Sequence, residues 1–310
     1  MSTRRLRLPA CSMGEFVTST VTVRAPATSA NLGPGFDTFG LALGMYDVVQ
    51  ARVAEAGVHV DIEGEGADAV SRDESNLVVR SARFTFDALG VAQPGLRLSC
   101  RNAIAHGRGL GSSAAAIVSG IVLADGLLGG STVSAELALT LAAQIEGHPD
   151  NVAACLSGGF TIAWREGDGS AHVVRLGVHP DIRAAVFVPP ARLSTAVARA
   201  LLPADVPHRL ASSNAARAAL LVAAITTDPS QLLAGTHDAL HQEYRRPAMP
   251  DSLALVDSMR AAGVAAMVSG AGPSVLALGT VGSRVDPSQW TPPGWLGTDL
   301  TVSNEGACLQ

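Results

Sequence analysis

A glycine-rich segment near the middle of the chain has the composition of an anion-binding loop. Glycines occupy every second position at Gly107, Gly109 and Gly111, and Ser112 and Ser113 follow at the start of an alanine-rich apolar run. Glycines let backbone N–H groups approach a ligand closely, and the unpaired N–H groups at a helix N-terminus favour phosphate. The segment therefore predicts a phosphate-binding loop entering a helix, with two hydroxyls available to cap the helix or reach a metal.

Two common nucleotide-binding patterns do not fit this segment. A Walker-type loop needs a lysine before its Ser or Thr, and the chain contains no lysine, since all 22 of its Lys and Arg residues are arginines. The dinucleotide pattern G-x-G-x-x-G also fails, because the three glycines are spaced two residues apart. The sequence thus excludes a P-loop NTPase, a protein kinase that depends on lysine, and a dinucleotide-binding fold of the Rossmann type.

Side chains suited to binding a charged small molecule occur in two distant regions. Asn31 and Asp37 lie in a loop rich in glycine and proline, where Asp37 could equally cap the segment that follows. Arg199 and Arg245 lie in the second half of the chain, and each guanidinium offers a planar fork of donors that suits a carboxylate. Residue type alone allows the two arginines to be solvated surface charges instead.

A third polar cluster lies at the end of a predicted helix. Glu146, His148 and Asp150 fall within five residues, beside Gly and Pro residues that would end the helix without any function. Mg²⁺ prefers one or two carboxylates together with phosphate oxygens. Glu146 and a hydroxyl from the turn at Ser112 and Ser113 would supply such a set.

Taken together, these segments resemble the motifs of the GHMP kinases, small-molecule kinases that hold the phosphates of ATP on such a loop and helix. The central match is G-L-G-S-S-A-A at 109–115, although Ala105 stands where the family usually has proline. The opening motif looks like that of the branch of the family that acts on L-homoserine. The segments that carry the rest of the resemblance are P-A-T-S-A-N-L-G-P-G-F-D at 26–37, E-G-H-P-D-N-V-A at 146–153, S-T-x-x-A-R-x-x-L-P at 194–203, H-Q-x-Y-R at 241–245 and S-G-A-G-P-S at 269–274.

The resemblance implies a role for each matching position. For ATP it implies Asn76, Gly107, Arg108, Gly109, Leu110, Gly111, Ser112, Ser113, Ala114 and Ala115. For the acceptor it implies Asn31, Asp37, His148, Arg199 and Arg245, and for Mg²⁺ it implies Ser113 and Glu146. The catalytic candidates are Asp150, Glu146 and Arg199. Whether Asp150 removes the hydroxyl proton or only orients the acceptor is left open.

The implied reaction is transfer of the γ-phosphoryl group of ATP to the side-chain hydroxyl of L-homoserine. This acceptor carries an ammonium, which Asp37 would meet, and a carboxylate, which Arg199 and Arg245 would meet. Another GHMP kinase that acts on mevalonate or a sugar, and a nucleotide-binding regulator without turnover, are the alternatives. We expect ATP and Mg²⁺ as cofactors and a homodimer as the assembly.

Composition places these motifs in a globular protein. With 310 residues, 47% of them hydrophobic and 16% charged, the chain can bury one large core or two moderate ones. A net charge of −5 gives no reason to expect nucleic acid or a membrane surface as a partner. The four scattered cysteines, which include no C-x-x-C pair, indicate a reducing compartment, and we expect the cytoplasm.

Hydrophobic periodicity indicates a mixed α and β chain. Strands are predicted over 17–24, 46–53, 58–62, 96–101, 184–188, 265–268 and 275–278, and helices over 76–89, 134–147, 210–227, 230–240 and 253–262. Residues 1–16 read as an irregular leader, in which Met13 could be the natural start. The resemblance implies an α+β fold with an ATP-binding domain at 17–175, similar to domain 2 of ribosomal protein S5, and a ferredoxin-like α/β domain at 176–310.

Overall fold

The structure is a computed structural model that describes residues 16–310. The predicted leader, except its last residue, and the proposal for Met13 lie outside the described residues. In the first half of the described chain the elements are β1 (Val21–Ala30), β2 (Phe39–Ala54), β3 (Val58–Gly64), α1 (Leu77–Leu89), β4 (Gly95–Asn102), α2 (Ser112–Leu127), α3 (Ala135–Glu146), α4 (Asp150–Ser157), β5 (Phe160–Arg165) and β6 (Ala171–Leu176).

The second half of the chain adds a shorter set of strands between helices. Its elements are β7 (Ile182–Val188), α5 (Thr195–Ala200), α6 (His208–Thr226), α7 (Leu232–Gly235), α8 (Pro250–Ala261), β8 (Ala265–Val268), β9 (Val275–Thr280), α9 (Pro287–Trp290), β10 (Leu296–Leu300) and β11 (Cys308–Leu309). Two short 3-10 turns, Pro229–Gln231 and Glu243–Ala248, complete it. None of the helices within residues 16–310 is long and apolar enough to cross a membrane.

The strands form two sheets. The first has seven strands, with the path β11-β1-β2-β4-β3 and with β5 and β6 extending from β2. All of its pairs are antiparallel except β3 with β4. The second has four antiparallel strands in the order β10-β7-β9-β8. This mixture of helices with mainly antiparallel sheets is the expected α+β class.

Helix α2 lies at the centre of the first half and is buried on almost every side. Its sequence is nearly all apolar or small, and residues as far apart as Ala114 and Leu127 are completely buried. It contacts α1, α3, α4 and β1. Because its neighbours surround the helix, the position of its N-terminus at Ser112 is fixed by the packing of the whole layer.

Three hydrophobic clusters hold the two sheets and their helices. The largest extends from β1 and β2 through α2 to the second sheet, so that it includes both Leu41 and Val186. A second cluster lies between the outer strands of the first sheet and helices α1 and α2. The third packs α8 against the second sheet, with Met259 and Phe187 fully buried. The hydrophobic core is therefore continuous between the first sheet and the second sheet.

The last strand, β11, is a feature that periodicity did not predict. It pairs with β1 of the first sheet, at Val23 with Leu309 and Arg24 with Cys308. The end of the chain thus returns to the sheet that the start of the chain forms. The division into domains at residue 176 remains a prediction. Strands β7 to β10, which follow that residue, form the second sheet.

Three predicted elements differ from the structure. The strand predicted over 46–53 is longer than expected, because β2 begins at Phe39. The strand predicted over 17–24 begins at Val21 and runs to Ala30, so much of the expected loop is buried β1, paired with β2. The helix predicted over 230–240 does not form as one helix, because a 3-10 turn and the one-turn helix α7 end at Gly235. The Asp238 carboxylate accepts the N–H groups of Leu240, His241 and Gln242 in place of helical carbonyls.

Candidate active site

The polar motif segments converge on one cavity, which we call the polar cavity and which has a volume of about 280 Å³. Elements of both halves of the chain form its wall, from the end of β1 to the turn before β9. Of the residues predicted for the site, it is lined by Asn31, Asp37, Gly107, Gly109, Gly111, Ser112, Ser113, Glu146, His148, Asp150, Arg199 and Arg245. The structure therefore brings together side chains that are up to 214 residues apart in sequence, from 31 to 245.

The glycine-rich loop fits between two other motifs so closely that side chains are excluded. Gly109 and Gly111 both have left-handed backbones, with φ of 75° and 72°. A Cβ atom at Gly109 would collide with the carbonyl oxygen of Ser269, and one at Gly111 with Oγ1 of Thr28. Glycine at these two positions is thus required by the protein itself, in addition to any ligand.

Hydrogen bonds join the loop to the first and third motifs. Ser269 Oγ lies 2.6 Å from the carbonyl oxygen of Gly109, to which it donates, and 2.8 Å from Oγ of Ser29. Asn31 Nδ2 donates to the carbonyl oxygen of Gly270 at 2.8 Å. All of these contacts are buried or partly buried, so they place the three segments in one fixed arrangement.

Asn31 also shapes the loop that carries Asp37. Its Oδ1 accepts the backbone N–H of Asp37 at 2.9 Å, and both residues have positive φ, 67° and 54°. Non-glycine residues rarely adopt this conformation, and asparagine and aspartate tolerate it best. The Asn31 side chain was predicted to bind the acceptor, and in the structure its amide lines the cavity while it holds this turn.

The predicted anion and one predicted cation contact each other directly. Arg199 donates to both carboxylate oxygens of Asp37, at 2.9 and 2.5 Å. The hydrogen bonds to Asp37 raise the pKa of Arg199 above its usual value. About one third of each side chain is exposed, so the pair faces the cavity instead of being enclosed. An anion and a cation are thereby presented side by side to whatever enters.

Arg245 lies deeper, with 1% of its surface exposed. Its Nε donates to the carbonyl oxygen of Ala198 at 3.3 Å, and its Nη1 lies 3.0 Å from Nδ1 of His241. Burial, followed by the charge of Arg199, lowers the pKa of Arg245 to about 10, so it is still a cation at neutral pH. Both guanidinium groups lie 5.5 Å from the ring centre of Phe36.

Glu146 and Ser113 meet at the start of α2. Ser113 Oγ donates to Oε1 of Glu146 at 2.6 Å, which joins the last residue of α3 to the first turn of α2. Burial raises the pKa of Glu146. One carboxylate and one hydroxyl are too few to hold a cation alone. Within residues 16–310 no group of three or more His, Cys, Asp and Glu side chains is placed to bind a metal.

His148 and Asp150 form a second pair on the same wall. His148 Nδ1 lies 2.7 Å from Oδ1 of Asp150, which also accepts the backbone N–H of Asn151 at 2.8 Å. Burial lowers the pKa of His148, but the hydrogen bond and charge of Asp150 outweigh this, and the net pKa is raised. Asp150 is the first residue of α4 and is 2% exposed. Its carboxylate is therefore held in place by its neighbours.

A second, more apolar cavity of about 240 Å³ adjoins the first. We call it the apolar cavity, and its walls come mainly from strands β2 to β4, helix α1 and helix α2. It shares Ser112 and Ser113 with the polar cavity. The two cavities meet at the N-terminus of α2. The middle part of a ligand that fills both cavities would therefore lie against the glycine-rich loop.

Two of the polar side chains that line the apolar cavity, Ser119 and Asp47, are buried. Ser119 is completely buried, and its Oγ has no hydrogen-bond partner within the described part of the chain. Asp47 accepts the backbone N–H groups of Ala103 and Ile104 at 2.7 and 3.0 Å. Burial raises the pKa of Asp47 to about 6. The cavity therefore combines apolar walls with a small number of polar groups, as small-molecule sites commonly do.

Asn76 lines the apolar cavity, but its side chain is hydrogen-bonded to the protein backbone. Its Oδ1 accepts the N–H of Val78 at 3.0 Å, and its Nδ2 donates to the carbonyl oxygen of Ser71 at 2.8 Å. Asn76 is thus the N-cap of α1. The structure supports a capping role, and a direct contact with a nucleobase stays a prediction.

Three predicted loop residues do not present side chains to either cavity. Arg108 donates to the carbonyl oxygens of Pro189 and Pro190 at 2.8 and 2.9 Å, so its guanidinium ties the loop to the segment after β7. Leu110 and Ala114 are buried in the main hydrophobic cluster. Any contact from Leu110 or Ala114 to a ligand would come from the backbone. Ala115, in contrast, lines the apolar cavity, and its predicted contact with ATP stays a prediction.

Several site residues were not predicted individually. Asn151 lines the polar cavity and accepts a hydrogen bond from Oγ1 of Thr28 at 2.8 Å, and Ser194 and Thr195 line the opposite wall. All of them lie inside segments that the motifs had singled out. The motif order marked these segments, and no separate signal in the sequence distinguished these three side chains within them.

Comparison with known proteins agrees with this arrangement. Residues 76–159 match the family described as GHMP kinases N terminal domain, and residues 220–285 match GHMP kinases C terminal. A homoserine kinase from Streptomyces avermitilis is 53% identical over 296 residues, which cover 95% of this chain and 97% of the relative. One from Clavibacter michiganensis subsp. michiganensis is 51% identical over 298 residues, which cover 94% of each chain.

A solved structure extends the similarity to three dimensions. The crystal structure of homoserine kinase from Cytophaga hutchinsonii superposes with a TM-score of 0.81 at 28% sequence identity, over 94% of this chain and 97% of that one. The fold and the two cavities that meet at a glycine-rich loop define a small-molecule kinase of the GHMP type. Within that class, the chain belongs to the homoserine kinase family.

Proposed function

We propose that this protein transfers the γ-phosphoryl group of ATP to the side-chain hydroxyl of L-homoserine. One observation carries the proposal: the polar cavity places the Asp37 carboxylate beside the guanidiniums of Arg199 and Arg245, next to the glycine-rich loop. An amino acid with a free ammonium and a free carboxylate matches these charges. The relatives named homoserine kinase support the choice of acceptor.

The two arginines would bind the carboxylate of the acceptor, and Asp37 would bind its ammonium. Arg199 lies within hydrogen-bond distance of Asp37, so the ammonium and carboxylate of one amino acid can reach both groups together. Mevalonate has a carboxylate but no ammonium, and a neutral sugar has neither. Either compound would leave Asp37 with only Arg199 as its counter-ion, so we expect both to bind less tightly than an amino acid.

ATP would occupy both cavities, with its nucleoside in the apolar cavity and its phosphates on the loop. The unpartnered hydroxyl of Ser119 and the apolar walls fit the nucleoside. Backbone N–H groups at Gly111 and Ser112 would stabilise phosphate negative charge at the N-terminus of α2. Ser113 and Glu146 would hold Mg²⁺, which when bound neutralises charge on the phosphates.

We favour an orienting role for Asp150. Its Oδ1 already receives a hydrogen bond from the backbone of Asn151 and lies against His148, whose pKa is raised. These contacts engage Oδ1 within the protein and fix the orientation of the carboxylate. Asp150 would therefore orient His148 towards the acceptor, and phosphoryl transfer would depend on positioning and charge stabilisation.

The proposal includes a cytoplasmic homodimer. Cys100 and Cys155 are buried free thiols, which fits a reducing compartment. The assembly can be tested by sedimentation at several protein concentrations. A mass that stays at that of one chain would contradict the dimer without affecting the proposed reaction.

A coupled assay of ADP release tests the proposed reaction. Purified protein with ATP and Mg²⁺ is given homoserine, mevalonate, galactose or serine in separate reactions. The proposal requires the highest kcat/KM with homoserine. Preference for mevalonate or galactose would assign another activity of the GHMP class, and absence of turnover with every acceptor would favour a nucleotide-binding regulator.

A further inference from the structure

His241 lies directly behind the polar cavity and is completely buried. It belongs to the H-Q-x-Y-R segment, in which only Arg245 was predicted to act. The side chain contacts three separate parts of the acceptor site: the backbone of the first-motif loop, the ring of Phe36 and the guanidinium of Arg245. A buried histidine that only fills space would not need to connect these parts.

The hydrogen bonds of His241 define its tautomer. Arg245 Nη1 lies 3.0 Å from Nδ1 of His241, and because a guanidinium can only donate, Nδ1 must be the acceptor. The ring proton is then on Nε2, which donates to the carbonyl oxygen of Gly33 at 2.8 Å. The imidazole is therefore neutral, and each nitrogen has one partner. Burial lowers the pKa of His241, which is consistent with this state.

A stacking contact adds a third restraint. The His241 ring lies 5.3 Å from the Phe36 ring at an interplanar angle of 28°. Phe36 immediately precedes Asp37 and has the guanidiniums of Arg199 and Arg245 on its face. His241 thus contacts both sides of the site, the loop with its anion and the helix-and-turn region with its cations.

We propose that His241 is a positioning residue that fixes the separation between Arg245 and the loop carrying Asp37, and thereby sets the affinity for an acceptor with both an ammonium and a carboxylate. The inference rests on the proposed function, because it assumes that these two groups bind the acceptor. The other charged group near the ring is Asp238, 3.6 Å from Nε2, whose carboxylate mainly caps the backbone of the same segment.

Two conservative substitutions separate the two hydrogen bonds. Asparagine can place its Oδ1 near the position of Nδ1 and so keep the acceptor for Arg245, whereas glutamine can place its Nε2 near the ring Nε2 and keep the donor for Gly33. Phenylalanine keeps the stacking on Phe36 and removes both bonds. His237→Gln is a matched control, since His237 is an exposed histidine four residues earlier.

Steady-state kinetics and thermal unfolding are measured for each variant. We expect His241→Gln and His241→Phe to raise KM for homoserine by about tenfold or more, the size of one lost charged hydrogen bond. His241→Asn should raise it clearly less, and KM for ATP should stay within about twofold throughout. A merely structural role predicts instead that kcat and both KM values deteriorate together, in proportion to the loss of Tm. That pattern, or an unchanged KM in His241→Phe, would overturn the proposal.

Nitrogen NMR of the wild-type protein keeps the test independent of how well the variants fold and of which acceptor is used. The proposal requires the neutral Nε2–H tautomer at pH 7. A protonated ring, or a proton on Nδ1, would overturn it. Absence of turnover of homoserine by the wild type, together with the expected tautomer, would instead reject the proposed function and retain the connection between His241 and Arg245.

Discussion

Asp37 and Arg199 form a bidentate ion pair at the edge of the polar cavity, with donor–acceptor distances of 2.9 and 2.5 Å. The sequence predicted these two residues as the anion and cation for opposite ends of one acceptor. In the structure they are direct neighbours, which sets a short distance between the two binding groups. An α-amino acid, whose ammonium and carboxylate are attached to the same carbon, has charges at a matching separation.

Replacing Asp37 tests how this pair contributes to acceptor binding. Asp37→Asn keeps the size of the side chain and removes its charge, so the substrate ammonium loses its counter-ion while Arg199 loses its partner. We expect KM for homoserine to rise by about tenfold or more, with KM for ATP nearly unchanged. Arg199→Ala should raise KM for homoserine to a similar degree. An Asp37→Asn enzyme with wild-type KM would show that the ammonium is bound elsewhere.

Removing the carboxylate of Glu146 tests the metal assignment. Glu146→Ala and Ser113→Ala should each lower Mg²⁺-dependent kcat by roughly 10²-fold or more, because a phosphate-bridging cation contributes several kcal/mol to the transition state. Glu136→Ala, an exposed carboxylate in the first turn of the same helix, is the control. A Glu146→Ala enzyme with near-normal kcat would remove Glu146 from the metal site.

Separate measurements of kcat and KM distinguish the two possible roles of Asp150, general base and orienting residue. Loss of a general base typically lowers kcat by about 10² to 10⁴. Because Asp150 is engaged with His148 and the backbone of Asn151, we expect Asp150→Asn to act chiefly through a higher KM for homoserine. A collapse of kcat with unchanged acceptor affinity would refute the orienting role.

Asp47 predicts a pH dependence of stability. Its pKa is raised from 3.8 to about 6 by burial, so the folded protein binds the proton more tightly than the unfolded chain does. Its stabilising contribution is fully present below the unfolded value and is lost as the pH rises through the folded one. The difference corresponds to about 3 kcal/mol at neutral pH. Asp47→Asn, whose Oδ1 can still accept from Ala103 and Ile104, should relieve this cost.

The measurement is the free energy of unfolding at several pH values. We expect Asp47→Asn to gain stability relative to the wild type at pH 7.5, with a difference that shrinks steadily towards pH 4. Asp61→Asn, at an exposed position of strand β3 in the same sheet, serves as the control. A stability difference that does not vary with pH would show that burial of the Asp47 charge carries no such cost.

The sequence predicted which charged residues lie together better than it predicted the details of the fold. The charged residues chosen by their chemistry and by motif order all line one cavity, and their functional roles stay predictions: Asp37, Glu146, Asp150, Arg199 and Arg245. Periodicity placed most helices and strands within a few residues. It failed over 230–240, where the Asp238 carboxylate replaces helical hydrogen bonds, a contact that hydrophobic spacing does not register.

Long-range relationships were beyond what the sequence alone could predict. The return of β11 to β1, the collision of Gly111 with Thr28 and the bridge from His241 to Gly33 each join residues more than 80 positions apart. No local pattern specifies such pairs, because they depend on how α2 and the two sheets pack. Arg108 is the clearest case: its sequence position suggested phosphate, and its guanidinium instead binds two carbonyl oxygens after β7.

The central claim is that the site recognises an acceptor by its ammonium and carboxylate together, and one comparison of acceptors tests it most directly. The wild-type enzyme is assayed with homoserine and with N-acetylhomoserine, which has the same hydroxyl and carboxylate but no positive charge. The pairing of Asp37 with the ammonium predicts that kcat/KM for the acetylated compound is lower by about tenfold or more. Equal kcat/KM for the two compounds would contradict it, because the ammonium would then make no contribution to recognition of the acceptor.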